Sequence, residues 1–121
     1  MSVGPQAGAL EGLKKRRDFL AANRGRRRVT PGFILLGRAR GDGSDAMRFG
    51  LTASRRIGNA VTRNRARRRL REMARAVLPA HGLPGWDYVL IARRDATTTR
   101  PFRYMADELK AALAALHGGR S

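Results

Sequence analysis

Between Thr62 and Glu72 the chain reads TRNRARRRLRE, six arginines against one glutamate. Few folds accept such a segment. At 100° per residue, Ala66, Leu70, Met73 and Val77 stay within about 40° of Ala66, with Ala74 a little further round. The segment is therefore a helix with one thin apolar stripe. Arg63, Arg67 and Arg71 run down one flank, with Asn64 at their outer edge. Arg65 and Arg69 run down the other, and Arg68 and Arg75 lie opposite the stripe. Arginines four apart (63–67, 67–71, 65–69, 71–75) repel, and the one favourable pair, Arg68 with Glu72, contributes only ~0.3–0.5 kcal/mol. Packing of the stripe must hold this helix, and an external polyanion would turn its charge from a cost into a gain.

The rest of the composition agrees. The chain has 121 residues, enough for one domain, with 26 Lys+Arg against 9 Asp+Glu and a net charge of +17. Only Lys14, Lys15 and Lys110 are lysines, and the arginine fork suits bidentate contacts to phosphate. A solvated charged face normally mixes signs, and this one does not. A membrane-surface helix would want a broader stripe with bulky aromatics. Cysteine is absent, which excludes disulfides, thiolate zinc sites and a cysteine nucleophile. Apolar runs such as FILL (33–36) and YVLIA (88–92) are far too short to span a bilayer, and the N-terminus lacks a signal-peptide layout. These features predict a cytoplasmic protein with no membrane partner.

Along the chain, residues 1–9 are expected to be a disordered lead-in, 10–117 a single domain and 118–121 a flexible tail. Helical spacing predicts a helix over 12–23, with Gly25 as its stop. Phe33–Arg40 reads as a strand. After the turn cluster GDGSD (41–45), Met47, Phe49, Leu51 and Ala53 alternate with Arg48, Gly50, Thr52 and Ser54, predicting a second strand paired antiparallel with the first. The arginine helix is expected over 60–78, ended by Pro79. DYVLIARR reads as a strand in the middle of the sheet. A last helix is expected with Thr98 or Thr99 as N-cap and a stripe of Phe102, Ala106, Leu109, Leu113 and Leu116, ending at Gly118. The order α-β-β-α-β-α predicts an α+β two-layer sandwich.

No protein active site is legible. His81 and His117 sit in a loop and the tail, Asp42 and Asp45 read as turn formers, and Asp107 and Glu108 are neighbours pointing different ways. No convergent carboxylates for a two-metal nuclease can be assembled.

The run RIGNAVTRNRARRRLRE resembles the protein subunit of bacterial ribonuclease P. Arg55, Arg56, Gly58, Ala60, Val61, Arg63, Asn64, Arg65, Arg67 and Arg68 fall on its motif, and LKKRRDF, MRFGLTASRRIG and YVLIAR match in order and spacing over about residues 12–116. The resemblance implies a ribosomal-S5-domain-2-like fold with a left-handed βαβ crossover. It implies a large catalytic RNA as partner, precursor tRNA with its 5′ leader as substrate, and Mg2+ bound mainly by the RNA, which carries the chemistry. No catalytic residue and no obligate protein partner are then expected of the chain. Phe19, Thr52, Arg63, Asn64, Arg67 and Arg71 are expected to bind the leader, with Phe19 as a stacking platform. Arg55, Arg56, Arg65, Arg68 and Arg69 are expected to bind the catalytic RNA. Asn23 and Leu36 stand where other members carry aromatics, which reduces stacking capacity. The competing reading is a ribosomal or rRNA-assembly protein with no part in cleavage.

Overall fold

A computed structural model describes residues 10–118; the expectations for 1–9 and 119–121 lie outside it. Five strands form one mixed sheet: β1 (Leu10–Gly12), β2 (Arg26–Val29), β3 (Phe33–Ala39), β4 (Met47–Thr52) and β5 (Trp86–Ala92). Their spatial order is β1-β4-β5-β3-β2. Helix α1 (Arg16–Ala22) follows β1, α2 (Ala60–His81) joins β4 to β5, and a single turn α3 (Ala96–Thr99) leads into α4 (Phe102–Gly118). The expected α-β-β-α-β-α elements all occur in that order, with β1, β2 and α3 added. Among the described residues no helix is long and apolar enough to cross a membrane.

The arginine helix is held as its wheel requires. Ala66, Leu70, Met73, Ala74, Val77 and Leu78 are buried. Each large apolar side chain so buried contributes about 1.5–3 kcal/mol, against a few tenths for each arginine–arginine repulsion, so packing wins. Pro79 does not end the helix. It falls in the last turn, where it costs one hydrogen bond, and the Gly82 N–H closes on the Leu78 carbonyl at 2.8 Å.

The expected hairpin of β3 with β4 does not form. β5 lies between them, antiparallel to β3 from Phe33↔Ala92 to Ala39↔Trp86 and parallel to β4 from Arg48↔Asp87 to Thr52↔Ile91. A strand apolar on both faces belongs inside a sheet, and β5 takes that place. The 41–46 loop therefore has to step over one strand, about 10 Å. Arg40 pins it: its guanidinium donates to Asp42 (3.0 Å), to Asp87 (2.8 Å) and to the Ala46 carbonyl (2.6 Å).

Two cores result. On one face α2 and α4 cover Phe33, Leu35, Met47, Phe49, Tyr88 and Leu90. On the other, α1 covers a small patch of Leu36 and Val89 with Ala22, flanked by Leu13 and Phe19. The register lays rows across this second face: Arg38, Asp87 and Arg48, then Leu36, Val89 and Gly50, then Ile34, Ile91 and Thr52.

Helix α1 begins at Arg16 rather than near residue 12, because Leu10–Gly12 pairs parallel with β4 and the Leu13 N–H continues to the Phe49 carbonyl at 2.8 Å. In α4, Met105 takes the core place expected for Phe102, which is exposed. Thr98 and Thr99 do not cap α4; they lie in α3, where both hydroxyls donate to the Asp95 carbonyl. Arg26 and Arg28 of the edge strand donate to the Leu116 (2.5 Å) and Ala115 (3.3 Å) carbonyls, capping the last turn of α4.

His117 closes the same corner. The Tyr88 hydroxyl accepts the Leu83 N–H at 2.9 Å and shares a second hydrogen bond with His117 Nε2 at 2.6 Å. Burial, then the charge of Arg26, lowers the pKa of this imidazole. The fold thus favours the neutral ring. Its contribution is full above about pH 6.5 and is lost as pH falls through the depressed folded value. Urea midpoints should fall between pH 7 and 5 in the wild type and vary less in His117→Gln; parallel declines would exclude His117 as the cause.

Candidate nucleic-acid interface

The stretch before α2 explains how the helix is aimed. Ser54 Oγ accepts the Arg56 N–H at 3.3 Å and opens a 3-10 turn over Arg55–Ile57. Gly58 follows at φ 147°, a conformation that L side chains rarely adopt. Asn59 then caps α2, its Oδ1 accepting the Thr62 N–H at 2.9 Å. Arg63 donates to the Gly58 carbonyl at 2.9 Å and fixes the turn to the helix.

A groove of about 260 Å3 runs between the β1–β4 edge and α2. Leu13 and Phe19 form one bank, Phe49, Gly50 and Leu51 the floor, and Arg67, Arg71 and Arg75 the other bank. Phe19 is half-buried and lies directly on Gly50, where an added Cβ would sit 2.4 Å from its Cε1. Arg67 is held by Asn64 Oδ1 (3.1 Å) and the Ala53 carbonyl (3.3 Å). Arg71 is exposed and has no hydrogen bond or ion pair among the described residues. The combination is an aromatic ring facing a row of guanidiniums across a narrow channel, the elements that hold a single strand by stacking and by phosphate contact.

Of the residues expected at the leader, Phe19, Arg67 and Arg71 meet in this groove. Asn64 reaches it through Arg67. Thr52 is half-buried on the same sheet face as Gly50, one row beyond, and Arg63 is turned toward Gly58. Arg75 was not expected there, because its wheel position lies opposite the stripe. Its long side chain reaches the groove and sets the guanidinium 5.9 Å from the Phe49 ring centroid. The signal was the four-residue ladder 63, 67, 71, 75.

The residues expected at the catalytic RNA divide. Arg55, Arg56 and Arg68 are exposed. Arg65 donates to the Thr98 carbonyl at 3.3 Å; Arg69 donates to the Thr97 carbonyl at 2.9 Å and to that of Arg100. These two guanidiniums close the open end of α3, so they brace the fold as well as present charge.

A larger polar basin, about 700 Å3, adjoins the groove at Gly12 and is rimmed by Lys14, Lys15, Arg17 and Arg38. Among the described residues no arginine of α2 is in an ion pair, Arg68 included. Nor do three acidic or histidine side chains converge anywhere among them.

Comparison with known proteins gives the same direction. The family model described as Ribonuclease P matches residues 9–117. The ribonuclease P protein component of Ruegeria pomeroyi is 52% identical over 106 residues, 87% of this chain and 85% of that protein. That of Caulobacter vibrioides is 44% identical, covering 96% of this chain and 77% of that protein. Among solved structures, the RNase P protein of Staphylococcus aureus superposes with a TM-score of 0.70 at 25% identity, over 88% of this chain and 94% of that one. The Thermotoga maritima RNase P protein gives 0.70 at 29% identity, over 88% and 97%. With the matched model spanning nearly its whole length, the chain belongs to the ribonuclease P protein family.

Proposed function

We propose that the chain works as the RNA-binding subunit of a cytoplasmic ribonuclease P particle that cuts the 5′ leader from precursor tRNA. The observation that carries this reading is the groove, an aromatic bank facing three guanidiniums beside an arginine helix with no internal counter-charge. The leader lies in the groove with a base on Phe19 and phosphates on Arg67, Arg71 and Arg75. Asn64 holds Arg67 at its station, and Arg63 keeps the turn before α2 in shape. Arg55, Arg56 and Arg68, with Arg65 and Arg69 beneath them, face the catalytic RNA. Magnesium resides on RNA phosphates, and no step of the cleavage runs through a side chain of this protein. Two RNAs held on opposite flanks of one helix are brought into register, which concentrates substrate at the RNA's active centre.

The test is reconstitution with the catalytic RNA at low magnesium. Protein alone should leave precursor tRNA intact, and the mixture should cut at the mature 5′ end; cleavage by protein alone would overturn the reading. With Arg67→Ala, affinity should fall for precursor bearing a leader and hold for one without. The slope of log affinity against log salt should flatten by ~0.7, one single-strand phosphate contact. Equal losses on both substrates would remove Arg67 from the leader site.

A further inference from the structure

The chain has seven aromatic side chains (four Phe, two Tyr, one Trp), and five have evident work. Phe33, Phe49 and Tyr88 are buried, Trp86 packs edge-on against His117 at 4.3 Å, and Phe19 lines the groove. Tyr104, in the first turn of α4, is 45% exposed. Phe102 is exposed too, but two residues earlier on a helix it points about 200° away and cannot share a surface with Tyr104.

The surroundings of Tyr104 are built rather than incidental. The Arg100 guanidinium lies 5.6 Å from its ring centroid and that of Arg103 5.3 Å away. Arg100 is anchored by Glu108, whose Oε2 accepts from Nε at 2.8 Å and from Nη2 at 2.5 Å. The Arg100 carbonyl in turn accepts from Arg69, and Arg65 holds the neighbouring Thr98 carbonyl. The ring is thus continuous with the outer flank of α2 through four arginines (65, 69, 100 and 103), with Glu108 among them and the exposed Asp107 one turn beyond Tyr104 on α4.

Such a patch fits one kind of partner. An apolar protein surface would meet the guanidiniums of Arg100 and Arg103 against the ring. A paired RNA helix offers no base face to stack on. An unpaired nucleotide offers both a π-face for the ring and a phosphate for the guanidiniums. We propose that Tyr104 is a stacking platform for an unpaired nucleotide of the catalytic RNA, with Arg100 and Arg103 on its phosphates. This rests on the assignment of the outer flank of α2 to that RNA.

Binding of wild type, Tyr104→Phe and Tyr104→Ala to the catalytic RNA should be measured at one salt concentration, with thermal melts to confirm folding. Tyr104→Ala should weaken binding by roughly 5- to 150-fold. Tyr104→Phe should stay within about twofold of wild type. The affinity ratio for precursor tRNA with and without leader should be unchanged in both. A Tyr104→Ala protein that binds the catalytic RNA like wild type would overturn the platform while leaving the two-flank reading intact. Wild type failing to bind the RNA would sink both. Equal losses in Tyr104→Phe and Tyr104→Ala would replace stacking by a hydroxyl contact, and a changed leader ratio would move the surface to the substrate; either result defeats the proposal.

Discussion

Asp87→Ala is expected to cost about 3–5 kcal/mol of folding free energy, the range for stripping one partner from a buried ion pair. The carboxylate is 1% exposed in the central strand. It accepts from Arg40 at 2.8 Å and from Arg48 at 2.7 and 2.6 Å, the latter two as a fork. The Asp87 bond outweighs burial at Arg48 and pushes that guanidinium's pKa up. Without Asp87, the Arg40 side chain, 6% exposed, keeps only Asp42, itself half exposed, as a counter-charge. The loop from Arg40 to Ala46 loses its ionic tie to the central strand, and Arg48 keeps only Asp18 of α1, at 3.5 Å. A small domain has about 5–15 kcal/mol in total, so the loss is large. Adding Arg48→Met should recover part of it, because one stranded charge is gone. Urea unfolding at fixed anion concentration measures both; a loss under about 1 kcal/mol for the single variant would mean that the network anchors nothing.

That cluster also marks where sequence reasoning stopped. Arg38, Asp87 and Arg48 share a row only because β5 lies between β3 and β4. Local alternation reports which face a residue takes, not which strand lies beside it, so GDGSD read as a hairpin turn. The apolar character of β5 already demanded a central place, and taken alone it contradicted that hairpin. Helical periodicity fared better: the stripe from Ala66 to Val77 is the seam that packs. It erred at the edges, where Leu10 joins a sheet edge, Pro79 is tolerated in a last turn, and Met105 replaces Phe102. The groove was half legible. The motif marks Arg67, and its neighbours suggest Arg71, yet the wheel treats side chains as short. It therefore misses Arg75, and it gives no hint that Arg65 and Arg69 bond to carbonyls twenty-eight or more residues away. Gly50 carried no sequence signal beyond its place in an alternating strand.

Gly50→Ala is accordingly expected to disable the groove while sparing the fold. A Cβ there would fall 2.4 Å from Phe19 Cε1, 2.6 Å from Cζ and 3.1 Å from Leu13 Cδ1. Such approaches cannot persist, and the half-buried ring has solvent on one side into which it can move. Overpacking of this kind costs about 1–3 kcal/mol of stability, at the low end when the neighbour is free to yield. The ring that yields is the proposed platform for a leader base, and one base–aromatic stack is worth ~1–3 kcal/mol. Affinity for precursor tRNA with its leader should fall by roughly 5- to 150-fold, while affinity for leaderless substrate and for the catalytic RNA holds. Phe19→Ala should produce the same selective loss. Because both changes act through one ring, the double variant should be little worse than either alone, whereas independent sites would add. A Gly50→Ala protein that keeps its preference for leader-bearing substrate would show that the leader does not rest on Phe19. The glycine would then be needed only so that α1 can lie against the sheet.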